Sequence, residues 1–87
     1  LSSMGFFVYL LECRDKSLYC GYTIDVKARL SAHNKGKASK YTRPRRPVKL
    51  VYLEEKETKG EALRRELEIK SFSRRQKLEL VKSRENN

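Results

Sequence analysis

Two neighbouring segments near the start of the chain predict a β-hairpin. Residues 6–13 (Phe-Phe-Val-Tyr-Leu-Leu-Glu-Cys) are mostly apolar and rich in residues that favour strands. The polar run at residues 14–17 is typical of a turn, and residues 18–22 resume a short strand. These strands form the first part of the predicted sheet.

The segments after the hairpin predict a helix, a loop and a third strand. The helix is expected from about residue 25 to residue 35, with Thr23 or Asp25 as its N-cap and Gly36 as its stop. Residues 35–47 are polar, basic and interrupted by proline, without the pattern of a core segment. Residues 48–53 are again rich in strand-forming side chains and predict the third strand.

Two capping boxes predict two further helices. Thr58 with Glu61 opens one of them, and Ser73 with Gln76 opens a short last helix that ends at about residue 82. The order of elements is therefore ββαβαα. This order predicts a small α+β fold with a three-stranded, mainly antiparallel sheet flanked by helices.

The length of the chain predicts one domain with a thin core, because 87 residues bury a limited share of their surface. We expect this domain to span residues 4–82, since no internal repeat and no interdomain linker is visible. Residues 1–3 are expected to be a non-native or disordered start, and residues 83–87 a disordered tail.

The charge balance predicts a polyanionic partner. Lys and Arg number 21 against 11 acidic residues, a formal net charge of +10, which points most simply to nucleic acid. Excess charge kept for solubility is the alternative. A membrane is not an expected partner, because no apolar run approaches the roughly 18 residues of a span and no helix combines a wide apolar face with a basic one.

The two cysteines bear on the cellular compartment and the redox state of the protein. Cys13 and Cys20 fall on adjacent predicted strands, where they could face each other. Because no secretory signal is visible, we expect the reducing cytoplasm and free thiols. With one histidine and no CxxC motif, a zinc site has almost no ligands to use.

The basic residues concentrate in one segment. Residues 35–46 contain no acidic residue, so they predict a loop that grips phosphates, with an aromatic ring available to stack on a base. A solvated charged loop is the alternative. The predicted nucleic-acid-binding residues are Lys35, Lys37, Lys40, Tyr41, Arg43, Arg45 and Arg46.

One carboxylate lies where a helix should be apolar. At about 100° per residue the predicted second helix carries Glu66 within an apolar stripe of Ala62, Leu63, Leu67 and Ile69. A carboxylate there is costly unless a cation, a metal or good hydrogen bonds compensate it. Glu66 is therefore a candidate for a functional site, and the alternative is an i,i+4 salt bridge to Lys70.

The first predicted helix carries a second candidate pair. Arg29 and His33 are i,i+4 neighbours, so their side chains can converge beside the core and the hairpin tyrosines. A packing histidine and a solvated arginine are the alternatives. If Tyr9 and Tyr19 belong to the same site, the numbers of directly opposed residues in their strands must add up to an even value.

These residues resemble the GIY-YIG endonuclease superfamily, in particular its stand-alone, single-domain bacterial branch. The two signature triplets correspond to residues 7–9 (Phe-Val-Tyr) and 19–21 (Tyr-Cys-Gly). Residues 19–33 look like the strand-to-helix stretch that carries the family's arginine, and residues 62–66 look like the segment that supplies its metal-binding glutamate. Lys-Tyr-Thr-Arg at residues 40–43 is similar to the bacterial branch, and the resemblance covers roughly residues 6–73.

The resemblance implies a metal-dependent DNA endonuclease that is structure-directed or weakly specific, with a place in DNA repair or recombination. It implies one Mg²⁺ or Mn²⁺ ion, weakly held without DNA and bound through Glu66. A monomer is expected, with a dimer as the alternative, and RNA stays open as a substrate.

The resemblance also implies a role for each remaining residue of the site. Arg29 would contact the scissile phosphate, and Tyr19 would act as general base or orient the attacking water. Tyr9 would hydrogen-bond the water or the phosphate, and His33 would orient a tyrosine or assist proton transfer. Gly21 would allow close approach of the backbone.

One feature of the family's pattern is absent. Many catalytic members have an Asn about a dozen residues after the glutamate, where this chain has Leu78. This difference favours a second hypothesis, a non-catalytic nucleic-acid-binding module on the same fold. An adaptor between proteins, the third hypothesis, explains the charge poorly.

Overall fold

The computed structural model describes residues 5–85 and contains one three-stranded sheet. The strands are β1 (Phe6–Glu12), β2 (Leu18–Thr23) and β3 (Lys49–Lys56). Their spatial order is β2-β1-β3, and both pairings are antiparallel. The predicted α+β class and the order ββαβαα are therefore confirmed. The predicted start at residues 1–3 lies outside the described residues.

The helices begin at the residues that local capping predicts. They are α1 (Val26–Asn34), α2 (Lys59–Lys70) and α3 (Arg74–Glu85), with a 3₁₀ turn at Arg43–Arg45. Asp25, one of the two predicted N-caps, accepts from the backbone N–H of Ala28 at 3.0 Å. Both predicted capping boxes are present: Thr58 with Glu61, and Ser73 with Gln76.

The sheet is covered on both faces, because side chains alternate along a strand. Val8 and Leu10 of β1 pack under α2 against Ala62 and Ile69. Tyr9, Leu11 and Cys13 point to the opposite face, where Leu30 of α1 packs against them. The mostly apolar run of β1 is explained by this burial on both sides.

A β-bulge in β3 changes which face of the sheet the following side chains point to. Leu10 pairs with Tyr52 and Leu11 with Leu50, so Val51 is the extra residue. As a result Val51 and Tyr52 both pack in the core under α2, while Leu50 packs in the core under α1. Residues 48–53 alone do not reveal this change of face.

The two cysteines lie on opposite faces of the sheet. Cys20 packs in the core under α2 and Cys13 in the core under α1. Both are buried and free, so the predicted free thiols are confirmed and the suggestion that they face each other is wrong. Among residues 5–85, no helix is long and apolar enough to cross a membrane.

Two predictions about the helices need correction. The prediction of a disordered tail is wrong for residues 83–85, which continue α3; the Ser83 hydroxyl donates to the Leu80 carbonyl at 2.8 Å. Asn86 and Asn87 lie outside the described residues. The apolar stripe of α2 is wrong for Leu63 and Leu67, which are 37% and 68% exposed.

The buried line of α2 instead runs through Ala62, Glu66 and Ile69. At about 100° per residue, Glu66 lies about 40° from Ala62 around the helix axis, whereas Leu67 lies about 140° away. Ala62 and Ile69 are fully buried, and the Glu66 side chain is only 16% exposed. The carboxylate is thus closer to the core-facing line than either leucine.

Candidate active site

A chain of hydrogen bonds connects β1 to α1 and to the loop that follows it. The Tyr9 hydroxyl lies 2.9 Å from His33 Nε2, and His33 Nδ1 lies 2.8 Å from Thr42 Oγ1. Thr42 Oγ1 in turn donates to the backbone carbonyl of Ser39 at 3.4 Å. The Tyr9, His33 and Thr42 side chains are all buried.

The Thr42 hydroxyl determines which group donates in each of these hydrogen bonds. Because the Thr42 hydroxyl donates to Ser39, it accepts from His33 Nδ1–H, and the neutral ring accepts at Nε2 from the Tyr9 hydroxyl. Burial and the charge of Arg29 both lower the pKa of His33, which keeps the ring neutral. Burial also raises the pKa of Tyr9, so this hydroxyl keeps its proton. Lone pairs of the Tyr9 oxygen stay available to a further donor.

Tyr19 lies beside Tyr9 on the face of the sheet that α1 covers. In the register of β1 and β2, Tyr9 opposes Gly21 and Leu11 opposes Tyr19, so the opposed numbers have an even sum. The prediction that both tyrosines point to one face is therefore confirmed. Their rings meet the His33 ring edge-on, with centroid distances of 5.9 Å for Tyr9 and 5.1 Å for Tyr19.

Gly21 makes room for Tyr9. A Cβ atom added to Gly21 would overlap the hydroxyl and the ring of Tyr9. The Tyr9 side chain therefore passes over Gly21 of the neighbouring strand β2, where no side chain blocks it. This path brings the Tyr9 hydroxyl to His33. The Tyr9 side chain is thus the group that contacts Gly21 within the protein, and close approach of the Gly21 backbone to a substrate stays a prediction.

Arg29 lies one helical turn before His33, on the exposed side of α1. Together with Val26 and Leu30 it borders a narrow gap beside Tyr9. Its positive charge adds to the effect of burial in lowering the pKa of His33, and it partly opposes the rise that burial causes in the pKa of Tyr9. Arg29 is therefore the exposed cation that stands next to the buried hydrogen-bond chain.

Glu66 lies on α2, whose buried residues pack on the face of the sheet opposite Tyr9 and Tyr19. Its backbone carbonyl accepts from the Cys20 thiol at 3.9 Å, which places the residue next to β2 at the position before Gly21. Burial and then the negative charge of Glu66 raise the pKa of Cys20 to about 12, and the same charge adds a smaller upward effect on the pKa of Tyr9. The predicted ion pair with Lys70 is also present, at 3.2 Å from Glu66 Oε2.

The donor set around Glu66 fits an ion that takes most of its ligands from water and substrate. Within residues 5–85, no three His, Cys, Asp or Glu side chains cluster around a common point. Mg²⁺ is often bound through one or two carboxylates, with waters and substrate phosphates completing its shell. Lys70 engages Oε2 of the carboxylate and is 48% exposed, so it can move aside.

The basic loop is tied to the site by Tyr41 and Arg45. The Tyr41 ring stacks on Tyr19 with a centroid distance of 5.9 Å, and the Arg45 guanidinium lies 3.9 Å from the Tyr41 ring centroid. Arg45 Nε also donates to Asp15 at 3.1 Å. Tyr41 and Arg45 thus have partners within the protein, and their predicted contacts with nucleic acid stay predictions.

The other predicted nucleic-acid-binding residues have side chains open to solvent. Lys35 and Lys37 follow α1, Lys40 lies further along the loop, Arg43 begins the 3₁₀ turn and Arg46 follows it; all five are exposed. Two of the three loop arginines therefore face solvent, and Arg45 is partly buried against Tyr41.

The carboxylate with the most strongly lowered pKa lies away from this group. Glu54 on β3 accepts hydrogen bonds from Tyr52 and from Arg65, whose Nη2 is 2.8 Å away. Burial acts to raise the pKa of Glu54, but these hydrogen bonds outweigh it and lower the pKa to about 2. Arg65 also binds Glu68. This closed ion-pair network connects β3 to α2.

Two residues have structural roles in the site that the sequence does not indicate. Thr42 stands among basic residues, and its fully buried side chain is revealed only by its contact with His33. Asn34 makes two hydrogen bonds with the backbone of Val48, at 2.8 Å and 3.0 Å, and so connects α1 to the segment that enters β3. An amide at the end of a helix carries no local signal for such a contact.

Known proteins are similar to this chain over nearly its whole length. The model of the GIY-YIG catalytic domain matches residues 5–79. A UPF0213 protein of Staphylococcus haemolyticus is 56% identical over 78 residues, which cover 90% of this chain and 95% of the relative. A UPF0213 protein of Staphylococcus aureus is 58% identical over the same length and shares of both chains.

Two solved structures are similar to the fold. The solution structure of a UPF0213 protein from Bacillus halodurans has a TM-score of 0.59 and 49% identity, and the match covers 91% of this chain and 84% of that one. A protein from E. faecalis has a TM-score of 0.65 and 39% identity, with 95% and 88% covered. The family model, the relatives and the fold agree, and this chain belongs to the GIY-YIG nuclease family.

Proposed function

We propose that this chain is a divalent-metal-dependent DNA endonuclease that hydrolyses phosphodiester bonds with structure-directed or weak specificity. The observation that carries the proposal is the hydrogen bond from Tyr9 to a neutral, buried His33, with Tyr19 and Arg29 beside it. Membership of a nuclease family implies a nucleic-acid substrate, and the net charge of +10 fits one. A place in DNA repair or recombination fits this activity.

Each residue of the site has a role in the proposed hydrolysis. Arg29 binds the scissile phosphate, because its planar donors match phosphate oxygens and its side chain is exposed. Tyr9 donates to His33 and accepts from the attacking water, which orients the water. Tyr19 is the general base or a second orienting hydroxyl. His33 is 1% exposed, so it acts through Tyr9 and is a positioning residue.

Glu66 is the proposed ligand of one Mg²⁺ or Mn²⁺ ion. When bound, such an ion would relieve negative charge on the phosphoryl and leaving oxygens. With one protein ligand, the affinity is expected to be weak without DNA. Lys70 competes for the carboxylate, and this ion pair would keep the Glu66 side chain ordered in the free protein.

The test is cleavage of supercoiled and branched DNA in the presence of Mn²⁺. We expect the wild-type chain to nick or cut and Glu66→Gln to lose this activity while keeping its affinity for DNA. Glu68→Gln is the matched control, because it removes a carboxylate from the same helix that is 58% exposed and pairs with Arg65. Equal cleavage by all three proteins would refute the metal assignment.

A non-catalytic nucleic-acid-binding module is the second candidate. The Lys70 ion pair favours it, because a permanently engaged carboxylate would leave a metal no protein ligand. The position of Leu78, where many catalytic relatives carry an Asn, favours it as well. Binding of DNA without cleavage of any tested DNA structure would establish this alternative.

A further inference from the structure

A cleft lies between the β1–β2 turn and the basic loop, apart from the residues assigned to hydrolysis. It has a volume of about 480 Å³ and is lined by Arg14, Asn34, Arg43, Pro44, Arg46 and Pro47. Three guanidinium groups therefore border one concave surface, and no carboxylate side chain is among the lining residues. Like charges that converge without a counter-charge repel each other, which favours binding of an anion between them.

The three arginines are held in place by neutral backbone acceptors. Arg14 Nη2 donates to the Pro44 carbonyl at 3.3 Å, Arg43 Nε to the Gly36 carbonyl at 3.2 Å, and Arg46 Nε to the Arg43 carbonyl at 2.7 Å. Each bond uses part of a guanidinium that carries five N–H donors, and it leaves the positive charge uncompensated. The side chains are thereby ordered before a ligand arrives, which lowers the entropic cost of binding.

Gly36 contributes to this arrangement through its missing side chain. Its φ of +75° favours glycine, and a Cβ atom there would lie 2.9 Å from an Nη atom of Arg46. The guanidinium of Arg46 therefore lies directly over the backbone that accepts from Arg43. Two arginines converge at the end of α1 because the chain has no side chain at that point.

Arg45 shows the opposite pattern within the same loop. Its charge is paired with Asp15, and its guanidinium packs on the Tyr41 ring. Its role is to hold the loop against the β1–β2 turn, where the Arg14 backbone N–H also donates to the Arg45 carbonyl at 2.9 Å. The loop thus contains one structural arginine and two whose charges face the cleft.

We propose that Arg14, Arg43 and Arg46 form a binding site for backbone phosphates of nucleic acid, separate from the phosphate that Arg29 would contact. This inference rests on the proposed function only in taking nucleic acid as the partner. Asn34 follows His33 directly in α1, so the cleft adjoins the candidate active site. Residues 29 and 34 are about 7.5 Å apart along the axis of α1. This distance is close to the rise of two nucleotides along one strand of a DNA duplex, about 7 Å.

The experiment measures binding of a short labelled DNA duplex in EDTA, so that no cleavage takes place. The variant Arg14→Gln/Arg43→Gln/Arg46→Gln is compared with the control Lys59→Gln/Arg64→Gln/Lys82→Gln, which removes the same charge from exposed positions on α2 and α3. The log–log salt dependence of the cleft variant should become shallower by about 2 to 3 units. The control should change it by less than about 1 unit.

Amide and arginine Nε–H resonances of the wild-type protein give a second measurement that needs no variant. Duplex DNA should shift the signals of Arg14, Arg43 and Arg46 at concentrations where inorganic phosphate leaves them unchanged. Saturation by inorganic phosphate at equal concentration would instead identify a site for small anions and overturn the assignment to nucleic acid. Equal salt dependence of the two triple variants would overturn it as well.

The outcome for the cleft is independent of the outcome for the endonuclease. If the wild type cuts DNA and the two triple variants have equal salt dependence, only the cleft inference fails. If the salt dependence changes as expected and the wild type cuts no DNA, the endonuclease proposal fails and the phosphate site stands.

Discussion

Thr42 Oγ1 lies 2.8 Å from His33 Nδ1, and this contact decides which ring nitrogen of the histidine carries its proton. The threonine donates to Ser39, so His33 donates through Nδ1 and presents Nε2 as an acceptor to Tyr9. A buried residue in the basic loop is therefore linked through His33 to a tyrosine on the central strand.

Replacement of Thr42 should lower both stability and cleavage. Thr42→Val leaves the buried Nδ1–H without an acceptor, and we expect the free energy of unfolding to fall by about 1–3 kcal/mol. We also expect kcat to fall while KM for DNA stays unchanged, because Thr42 touches no substrate. Thr42→Ser restores the hydroxyl and should recover both quantities, measured by urea unfolding and by steady-state cleavage. Equal kcat for the Val and Ser variants would contradict this role.

The stability of the protein should depend on His33 below neutral pH. The pKa of His33 is lowered in the folded state. The unfolded state therefore binds more protons than the folded state once the pH falls below the unfolded-state pKa of histidine, about 6.5. The free energy of unfolding should therefore be level above that pH and decline below it, down to the folded-state pKa. His33→Gln should remove this decline between about pH 6.5 and pH 5, since the chain has one histidine. A decline that persists in the variant would assign it to other groups.

Glu66→Gln should separate stability from activity. The ion pair with Lys70 is partly exposed and joins i,i+4 neighbours, so its loss should change the free energy of unfolding by less than about 1 kcal/mol. Cleavage should be lost. Lys70→Met removes the competing cation and should strengthen the binding of Mn²⁺, measured by the relaxation of water protons. Unchanged Mn²⁺ binding in Lys70→Met and in Glu66→Gln would place the metal elsewhere.

Glu54 should contribute to stability against acid. Its pKa of about 2 in the folded state is below the unfolded value of about 4.3, so its contribution is full above that value and is lost as the pH falls towards 2. Glu54→Gln should lower the free energy of unfolding at neutral pH by about 1–3 kcal/mol, because it weakens the hydrogen bonds to Arg65. It should also flatten the acid limb of the stability profile. Glu55→Gln, an exposed neighbour on β3, is the control and should leave that limb unchanged.

Much of the fold could be predicted from the sequence, because its signals are local. The capping boxes at Thr58 and Ser73 involve residues three positions apart, and the β-rich runs mark β1 and β2. The shared face of Tyr9 and Tyr19 follows from the period of two along strands once the register is known. The capping boxes and the strand-forming runs depend on neighbours in the chain, which a sequence displays directly, whereas the register is set by how the strands pair.

The arrangement of the site was decided by tertiary structure. Thr42 reaches His33 only because the loop folds back over α1, and Arg45 meets Asp15 across 30 residues of chain. The β-bulge at Val51 and the exposure of Leu67 likewise depend on which surface packs against which. The periodicity of a sequence gives the spacing of side chains along an element, but the partner of each side chain depends on how separate elements pack together.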